Sequence, residues 1–420
     1  MIYTLKQKLL DNLILFMLIM STGGLLFVFN RNMASVMFLV LVSVTIVLVG
    51  YNLKRTIVNS SVLTFVIVVV LGVINYNFAI VEQTVNKYLF YFLTVVLSTL
   101  TLLHFKNNRS NTIFLDRFYF VLKLISFHAF VNFILFFFIK NNLSTITSSY
   151  HECETFLNLF FYTPDRGIAN IFDLEFFRNQ GLFWEPGVLQ AFLNMLLFLE
   201  LFVFKRSKFL MIFIAFMILT TYSTTGLALL LIQVIVYLKT EFKQNKILLP
   251  IFIVFMIPIY LVFSVNVDEK VQGEKESSFQ KRIFDLTQPI FIALEHPLTG
   301  VGLDIFQFQK IRQEFYLSAN SVQSINTLFG ITTKVEVTDK GSSNSIMFLL
   351  AGTGFPTTLL LLYMFFKQQI IKEKKWLWMI IMLISVMSEP LLLRPFFFLF
   401  IISGFTHVFH KITAHKQQLI

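Results

Sequence analysis

Apolar residues run through this chain in long blocks that are separated by short polar segments. A helix needs about 17 to 25 mostly apolar residues to cross the roughly 30 Å hydrocarbon layer of a bilayer. Blocks of this kind lie near residues 12–29, 33–51, 58–76, 88–105, 118–139, 187–204, 247–265, 343–366, 376–391 and 394–409. The pattern therefore predicts an all-α polytopic membrane protein.

The apolar run at 209–238 does not fit a single crossing. As one helix its 30 residues would measure about 45 Å, which a bilayer accommodates only with steep tilt. The middle of the run reads TTYSTTG, a polar sequence typical of a break. We interpret the run as two short crossings joined by a turn at 221–225, which brings the expected total to about 12 transmembrane helices.

Composition supports the same class. Hydrophobic residues make up 56% of the chain, charged residues 14%, and the mean hydropathy is +0.75, values that belong to an integral membrane protein and not to a soluble one. We expect one integral membrane domain over residues 1–420. The single cysteine, Cys153, excludes an internal disulfide.

Charge predicts the orientation of the chain. With twelve crossings, the segments on one face carry 19 Lys and Arg residues against Asp116, Glu241 and Glu373. The positive-inside rule makes this face cytoplasmic, with both termini inside. The opposite face has two long external loops, 140–186 and 266–342. Since the net charge of +11 serves mainly to orient the chain among membrane lipids, we expect no nucleic-acid partner.

Arginines stand close to the points where both external loops return to the membrane. Arg178 lies in EFFRNQGLFWEPG and Arg282 opens KRIFDLTQPIFIALEHPLTGVGLDIF. A guanidinium stays charged and directs two donors toward a phosphate or carboxylate, so we expect both residues to form one outer-face site, with Arg166 as a further substrate-binding residue. The alternative is that they are solvated loop arginines paired with nearby acids.

Glu185 and Trp184 precede the helix that Pro186 opens. A carboxylate at this place faces the positive end of the helix dipole, so Glu185 is either a plain helix-start acid or an acid or base of the site. Trp184 is either a residue of the interfacial aromatic belt or a platform for a sugar ring.

Two further pairs of polar residues mark returns to the membrane. Glu295 and His296 form a charged turn, and histidine titrates near neutral pH, although a lone loop histidine is often simply polar. Glu389 and Arg394 flank Pro390 between the last two apolar blocks. Ionisable groups at membrane depth are candidates for function, while a structural ion pair across the turn explains them equally well.

Metal and nucleotide chemistry find no support in the sequence. The seven histidines lack a ligand spacing with a nearby acid pair on the outer face, and cysteines are not clustered. The GVGL and AGTG segments lack the Lys-Ser/Thr that follows a phosphate-binding loop. We therefore expect neither a metal nor a cofactor.

The residues discussed above carry a resemblance to a known family. Arg178, Gly181, Glu185 and Pro186 form the pattern R-x-x-G-x-x-x-E-P, which is followed after about a hundred residues by an Arg, then by HPLTGVGLDIF and SSNSIMFLLAGTGFPTTLLLL. This collinear set, over roughly residues 170–370, resembles the O-antigen polymerase and ligase superfamily of bacterial polysaccharide assembly.

The resemblance implies a fold and a function. Members resemble the C-type glycosyltransferases, lie in the bacterial inner membrane, and take sugar chains from undecaprenyl-pyrophosphate-linked oligosaccharides on its outer face without metal or nucleotide sugar. It thus implies a repeat-unit polymerase for O-antigen or capsule, with a ligase, or a flippase or exporter of lipid-linked sugars, as alternatives. It leaves open whether a chain-length regulator is a further partner.

The resemblance also implies roles for individual residues. Arg178 and Arg282 match the external-loop arginines that the family places near the pyrophosphate and the acceptor. Ligases usually have a His-Asn pair at the entry to the helix that follows the second loop, whereas this chain has Ser343-Asn344, which favours the polymerase and makes Asn344 a substrate-binding candidate. Glu185 and His296 are the candidates for the base that activates the acceptor hydroxyl.

Overall fold

The computed structural model describes residues 5–49, 55–106, 111–148, 151–163, 168–171, 174–241, 260, 263–264, 267, 276–318 and 342–418. Its helices are α1 Leu5–Gly23, α2 Leu25–Phe29, α3 Arg31–Val49, α4 Arg55–Phe78, α5 Val85–Lys106, α6 Asn111–Ile139, α7 Pro186–Phe198 with the π-helical turn Leu199–Phe204, α8 Lys208–Thr220, α9 Thr224–Glu241, α10 Glu276–Glu295, α11 Ile305–Ser318, α12 Ser345–Phe366, α13 Lys375–Ser388 and α14 Pro395–Gln418. Its strands are β1 Ser144–Thr147, β2 Glu152–Phe156, β3 Phe160–Tyr162, β4 Ile168–Ile171 and β5 Leu174–Phe177.

The helices confirm the predicted class. Within the described residues, seven helical stretches have the length and apolar composition to cross a membrane: α3, α4, α5, residues 112–139 of α6, α7 with its π-helical turn, α12, and residues 395–412 of α14. The shorter helices α8, α9 and α13 are also apolar. The chain is thus a mostly helical, multi-pass membrane protein. The predicted crossing at 247–265 lies mostly outside the described residues, as does Arg166.

The chain divides into two compact units. The first comprises residues 1–34, 115–275 and 372–385, and the second comprises residues 35–114, 276–371 and 386–420. Arg178, Trp184 and Glu185 belong to the first unit. The other described candidates, Arg282, Glu295, His296, Asn344, Glu389 and Arg394, belong to the second.

In the first unit, the run at 209–238 is broken as its TTYSTTG sequence predicts. α8 ends at Thr220, α9 begins at Thr224, and Tyr222 between them has a left-handed backbone with φ 47°. The hydroxyl groups of Thr220 and Thr221 donate to backbone carbonyls of the preceding turn of α8. These hydroxyl groups therefore donate to carbonyls in the last turn of α8, which lack partners within the helix and which apolar side chains could not satisfy.

The first crossing, expected as one helix over 12–29, differs from the prediction. It starts at Leu5 and breaks at Gly24, whose neighbour Leu25 donates its backbone N–H to the carbonyl of Leu182 at 2.9 Å. A Cβ on Gly23 would lie 2.5 Å from Val188 Cγ1. The paired glycines thus let the loop before α7 approach the backbone of the first helix.

Short strands, which the sequence analysis did not predict, lie in the long segment between α6 and α7. β1, β2 and β3 form an antiparallel sheet in that order, and β4 pairs with β5. Cys153 and Tyr162 of this region are almost fully buried, and Tyr162 and Phe177 are part of one apolar cluster with Ile139 of α6. The loop is thus folded onto the end of a membrane-spanning helix.

In the second unit, α14 packs against α4, α5 and α12, and α10 packs against both α12 and α11. The sequence FDLTQPIFIALEH, which reads as an amphipathic helix, forms the later part of the longer helix α10. Its packing on α12 brings the polar residues of α10 to the entry of a membrane-spanning helix.

Candidate functional site

Arg178 lies against the break between α8 and α9. Its Nε donates to the backbone carbonyl of Thr221 at 3.3 Å, and the backbone N–H of Asn179 donates to the carbonyl of Thr220 at 3.0 Å. The Asn179 side chain donates to the carbonyl of Ala129 in α6 at 2.9 Å. Two separate sequence features, the arginine loop and the TTYSTTG break, therefore form a single structure that holds the half-buried Arg178 in place.

Gly181 and Glu185 have different roles in this loop. Gly181 has φ 55°, and a Cβ there would lie 3.2 Å from that of Ala129, so its small size is needed for packing. Glu185 is the extended residue before α7, and Pro186 is the first helical residue, as expected. The Glu185 side chain does not cap the helix. Its carboxylate is therefore not committed to a capping hydrogen bond, and it lies beside the half-buried Trp184.

In the second unit, Arg282 stands one helical turn before a buried acid, Asp285. One carboxylate oxygen of Asp285 lies 2.9 Å from Nη2 of Arg312 in α11. The other accepts hydrogen bonds from the backbone N–H and the hydroxyl of Ser343, at 2.8 and 2.6 Å. A single side chain thus joins α10, α11 and the entry to α12.

Arg312 is enclosed by partners. Its Nε donates to Gln288 at 2.6 Å, Nη1 donates to Gln309 at 3.4 Å, and the guanidinium centre lies 5.0 Å from the ring centroid of Phe284. Burial lowers the pKa of Arg312, while the adjacent Asp285 counteracts that effect. Since an unpaired buried charge is strongly unfavourable, the ion pair fixes the relative placement of α10 and α11.

Neither Asp285 nor Arg312 was among the candidates from the sequence. In sequence they are an acid and an arginine on two polar helices, and nothing distinguishes them from the solvated charges nearby. The one available signal was the spacing of Arg282 and Asp285, which places both on the same side of a helix one turn apart.

Ser343 and Asn344 lie at the predicted entry to α12. Asn344 is its N-cap, and its side-chain oxygen accepts from the backbone N–H of Met347 at 3.1 Å. Ser345, the first helical residue, donates its hydroxyl to the carbonyl of Val386 at 2.6 Å and accepts from the N–H of Leu392 at 3.2 Å. The entry to α12 is therefore bound both to Asp285 and to the turn that carries Glu389, which is 5% exposed.

Glu295 and His296 lie at the far end of α10 from Arg282. Fourteen residues of helix separate Arg282 from His296, which corresponds to about 21 Å. Glu295 is exposed, and the backbone N–H of His296 continues the helix by donating to Ile292. The structure therefore does not bring His296 and Arg282 to one point.

The segment HPLTGVG after α10 interlocks with a kink in α12. Val301 and Gly302 donate their N–H groups to the carbonyls of Ala351 and Gly352, both at 2.9 Å, and Phe355 donates to Pro297 at 2.8 Å. The helix is broken at Gly354, where φ is 73°. Backbone N–H groups of the GVGL motif thus donate to backbone carbonyls of the AGTG motif. Non-helical backbone between membrane helices needs such hydrogen-bond partners.

Arg394 follows a turn and precedes α14. Its guanidinium centre lies 5.2 Å from the ring centroid of Phe90 in α5. The turn before it is closed by the N–H of Arg394 donating to Leu391 at 2.9 Å. Arg394 is therefore placed against α5, while Glu389 belongs to the side of the turn that meets Ser345.

Glu200, in the π-helical turn after α7, is a carboxylate with a fully buried side chain. It accepts from the hydroxyl of Tyr119 and from the backbone N–H of Ser207, each at 2.5 Å. The carboxylate is buried because the π-helical turn and the left-handed Lys205 fold the chain back over it.

The fold and these sites define a multi-pass membrane protein with a buried acid–arginine pair at the entry of a spanning helix. Residues 209–362 match the family model described as O-Antigen ligase, and no curated protein matches the chain. The match confirms, for this part of the chain, the resemblance to the O-antigen polymerase and ligase superfamily. It covers Arg282, Asp285, Arg312 and Ser343, and it does not separate polymerase from ligase.

Proposed function

We propose that the chain is a metal-independent glycosyltransferase that joins polyprenyl-pyrophosphate-linked oligosaccharide repeat units into O-antigen or capsular polysaccharide on the outer face of the bacterial inner membrane. The observation that carries the proposal is the placement of Arg282, one turn from the ion pair of Asp285 and Arg312, inside the part of the chain that matches the family model.

In the proposed reaction, an acceptor hydroxyl attacks the anomeric carbon of the donor sugar while the bond from that carbon to the pyrophosphate oxygen breaks. Negative charge grows on the leaving pyrophosphate, and a guanidinium already fixed in place stabilises it without reorganisation. Arg282, on the helix that the Asp285–Arg312 pair holds in place, is assigned this role. Arg178, held against the α8–α9 break in the first unit, is proposed as a second arginine that activity requires. Both have the rigid support that catalytic groups need.

The acceptor hydroxyl must also lose a proton to a base. We assign this role to Glu185, whose carboxylate does not cap α7. The distance of about 21 Å along α10 between His296 and Arg282 weighs against His296 as a base beside Arg282. Trp184, next to Glu185, is assigned the role of a platform on which a sugar ring of the substrate stacks.

The alternative is an O-antigen ligase, which the description of the matched family favours. The polymerase is favoured by Ser343, which stands at the position where ligases usually have histidine. The lipid-linked sugars of a deletion strain separate the two. We expect single repeat units to accumulate on the carrier, whereas long chains on the carrier would indicate a ligase and a normal pattern would refute both.

A further inference from the structure

A cavity of about 310 Å³ lies in the second unit, bounded by α4, α5, α12 and α14 and by Leu303 and Leu393. It is open on one side, and its lining is almost entirely apolar. All four helices are among those with the length and composition to span a membrane. The lining is therefore complementary to a hydrocarbon chain.

One end of the cavity carries polar groups in fixed positions. Tyr88 donates its hydroxyl to Asn75 at 2.6 Å and accepts from the N–H of Leu303 at 3.1 Å. Tyr91 donates to the carbonyl of Leu303 at 3.2 Å. These bonds tie the segment after α10 to α5, so that the polar end of the cavity is a rigid rim.

A cation stands beside this rim. Arg394 directly follows the cavity-lining Leu393, and its guanidinium centre lies 5.2 Å from the ring centroid of Phe90, the neighbour in sequence of Tyr91, which also lines the cavity. An apolar cavity with a cation at one end is complementary to a lipid that has an anionic head and a hydrocarbon tail.

We propose that this cavity binds the isoprenoid tail of the polyprenyl-pyrophosphate carrier, with the pyrophosphate toward Arg394. The assignment rests on the proposed function, which requires such a carrier. The volume is at the low end for ligand pockets, about 300 Å³, and accommodates a segment of one hydrocarbon chain. Arg394 would hold the phosphate end of the chain that the cavity receives.

Gly72 offers a direct test. It lines the cavity, and a Cβ built on it meets no atom within 4 Å. Gly72→Phe therefore adds a large side chain at the cavity wall from a Cβ position that is unobstructed, and it removes a poor helix former from α4. Val66→Phe is the matched control, because Val66 lies on the same helix, is 48% exposed and does not line the cavity.

The experiment uses the full chain in lipid nanodiscs with a photoactivatable polyprenyl pyrophosphate whose reactive group is on the tail. We expect crosslinks on α4 and α5 around the cavity, reduced about tenfold or more by Gly72→Phe and unchanged by Val66→Phe. Unlabelled polyprenyl pyrophosphate should compete, and phosphatidylglycerol should not. If Gly72→Phe lowers the unfolding temperature, the smaller Gly72→Leu replaces it.

Crosslinks elsewhere, equal loss in the control, or equal competition by phosphatidylglycerol would overturn the proposal. These crosslinking results do not depend on which lipid-linked sugars accumulate in the deletion strain. A normal sugar pattern in that strain would refute the proposed function, whereas misplaced crosslinks with accumulated repeat units would refute only the tail site.

Discussion

The carboxylate of Asp285 lies 2.9 Å from the guanidinium of Arg312, and the two side chains are only 1% and 4% exposed. The same carboxylate accepts two hydrogen bonds from Ser343. Arg282, the residue to which we assign the leaving pyrophosphate, is one turn away on the same helix. The ion pair and these hydrogen bonds therefore hold the helix that carries Arg282 to α11 and to the entry of α12.

Arg312→Met should destabilise the protein strongly. It leaves Asp285 as an uncompensated buried charge, and breaking a buried pair in this way costs about 3–5 kcal/mol. Thermal and denaturant unfolding of the purified protein measure the loss. Arg206→Met is the control, because Arg206 and Asp116 form an exposed pair at 3.1 Å that should contribute about 1 kcal/mol or less. Equal losses would contradict the structural role of the buried pair.

Gly354→Ala should also destabilise the protein. Gly354 has φ 73°, and a Cβ there would lie 2.6 Å from backbone atoms of Leu298, so the substitution adds both backbone strain and a clash. We expect a loss of about 1–3 kcal/mol in the free energy of unfolding. Gly72→Ala, where the added Cβ meets nothing, should instead be neutral or stabilising by up to about 1 kcal/mol. An equal change in the free energy of unfolding for both substitutions would contradict the close packing of Leu298 against the kink at Gly354.

The thiol of Cys153 should be unreactive in the folded protein. Burial, with a smaller effect from Glu154, raises the pKa of Cys153 from 9.0 to about 12, so the thiolate is absent at neutral pH. Above pH 9 the unfolded chain loses this proton while the folded chain keeps it, so the free energy of unfolding should fall between pH 9 and 12. Maleimide labelling at pH 8 checks the first point. The neighbouring, exposed Glu152 provides the control as Glu152→Cys, and rapid labelling of native Cys153 would refute the expected burial.

Because we expect native Cys153 not to react, cysteines introduced at single positions can test the orientation of the chain in the membrane. The charge distribution predicts that the first external loop faces outward and that segment 367–375 faces the cytoplasm. In intact cells, a membrane-impermeant thiol reagent should label Glu152→Cys and leave Lys374→Cys unlabelled until the cells are opened. Labelling of both, or of Lys374→Cys alone, would refute the predicted topology.

The helices could be predicted from sequence because the length of an apolar block alone decides whether it spans a bilayer. The break near Tyr222 was predictable for the same reason, since one helix would have been too long. The break at Gly24 and the strands around Cys153 were not, because they depend on contacts with distant residues such as Leu182 and Ile139.

The candidate site also combines features that the sequence indicates with features that only the packing shows. The roles of Arg178 and Arg282 stay predictions that rest on their positions in the sequence. Asp285 and Arg312 are 27 residues apart in sequence and become a pair only when α10 and α11 pack. The GVGL and AGTG segments could be excluded as phosphate loops, but their mutual hydrogen bonds could not be foreseen. Sequence therefore indicated which residues carry charge, and the packing showed which of those charges are buried.

Polymer formation by Arg282 and Arg178 variants tests the central claim most directly. Removing one donor to a developing negative charge typically lowers the rate about 10²- to 10³-fold. We therefore expect Arg282→Ala and Arg178→Ala to abolish polymer at unchanged protein level, and Arg282→Lys to retain weak activity because it keeps the charge without the forked geometry. Lys310→Ala, at an exposed cation on α11, should leave polymer unchanged. Polymer of normal amount and length from both alanine variants would contradict the account.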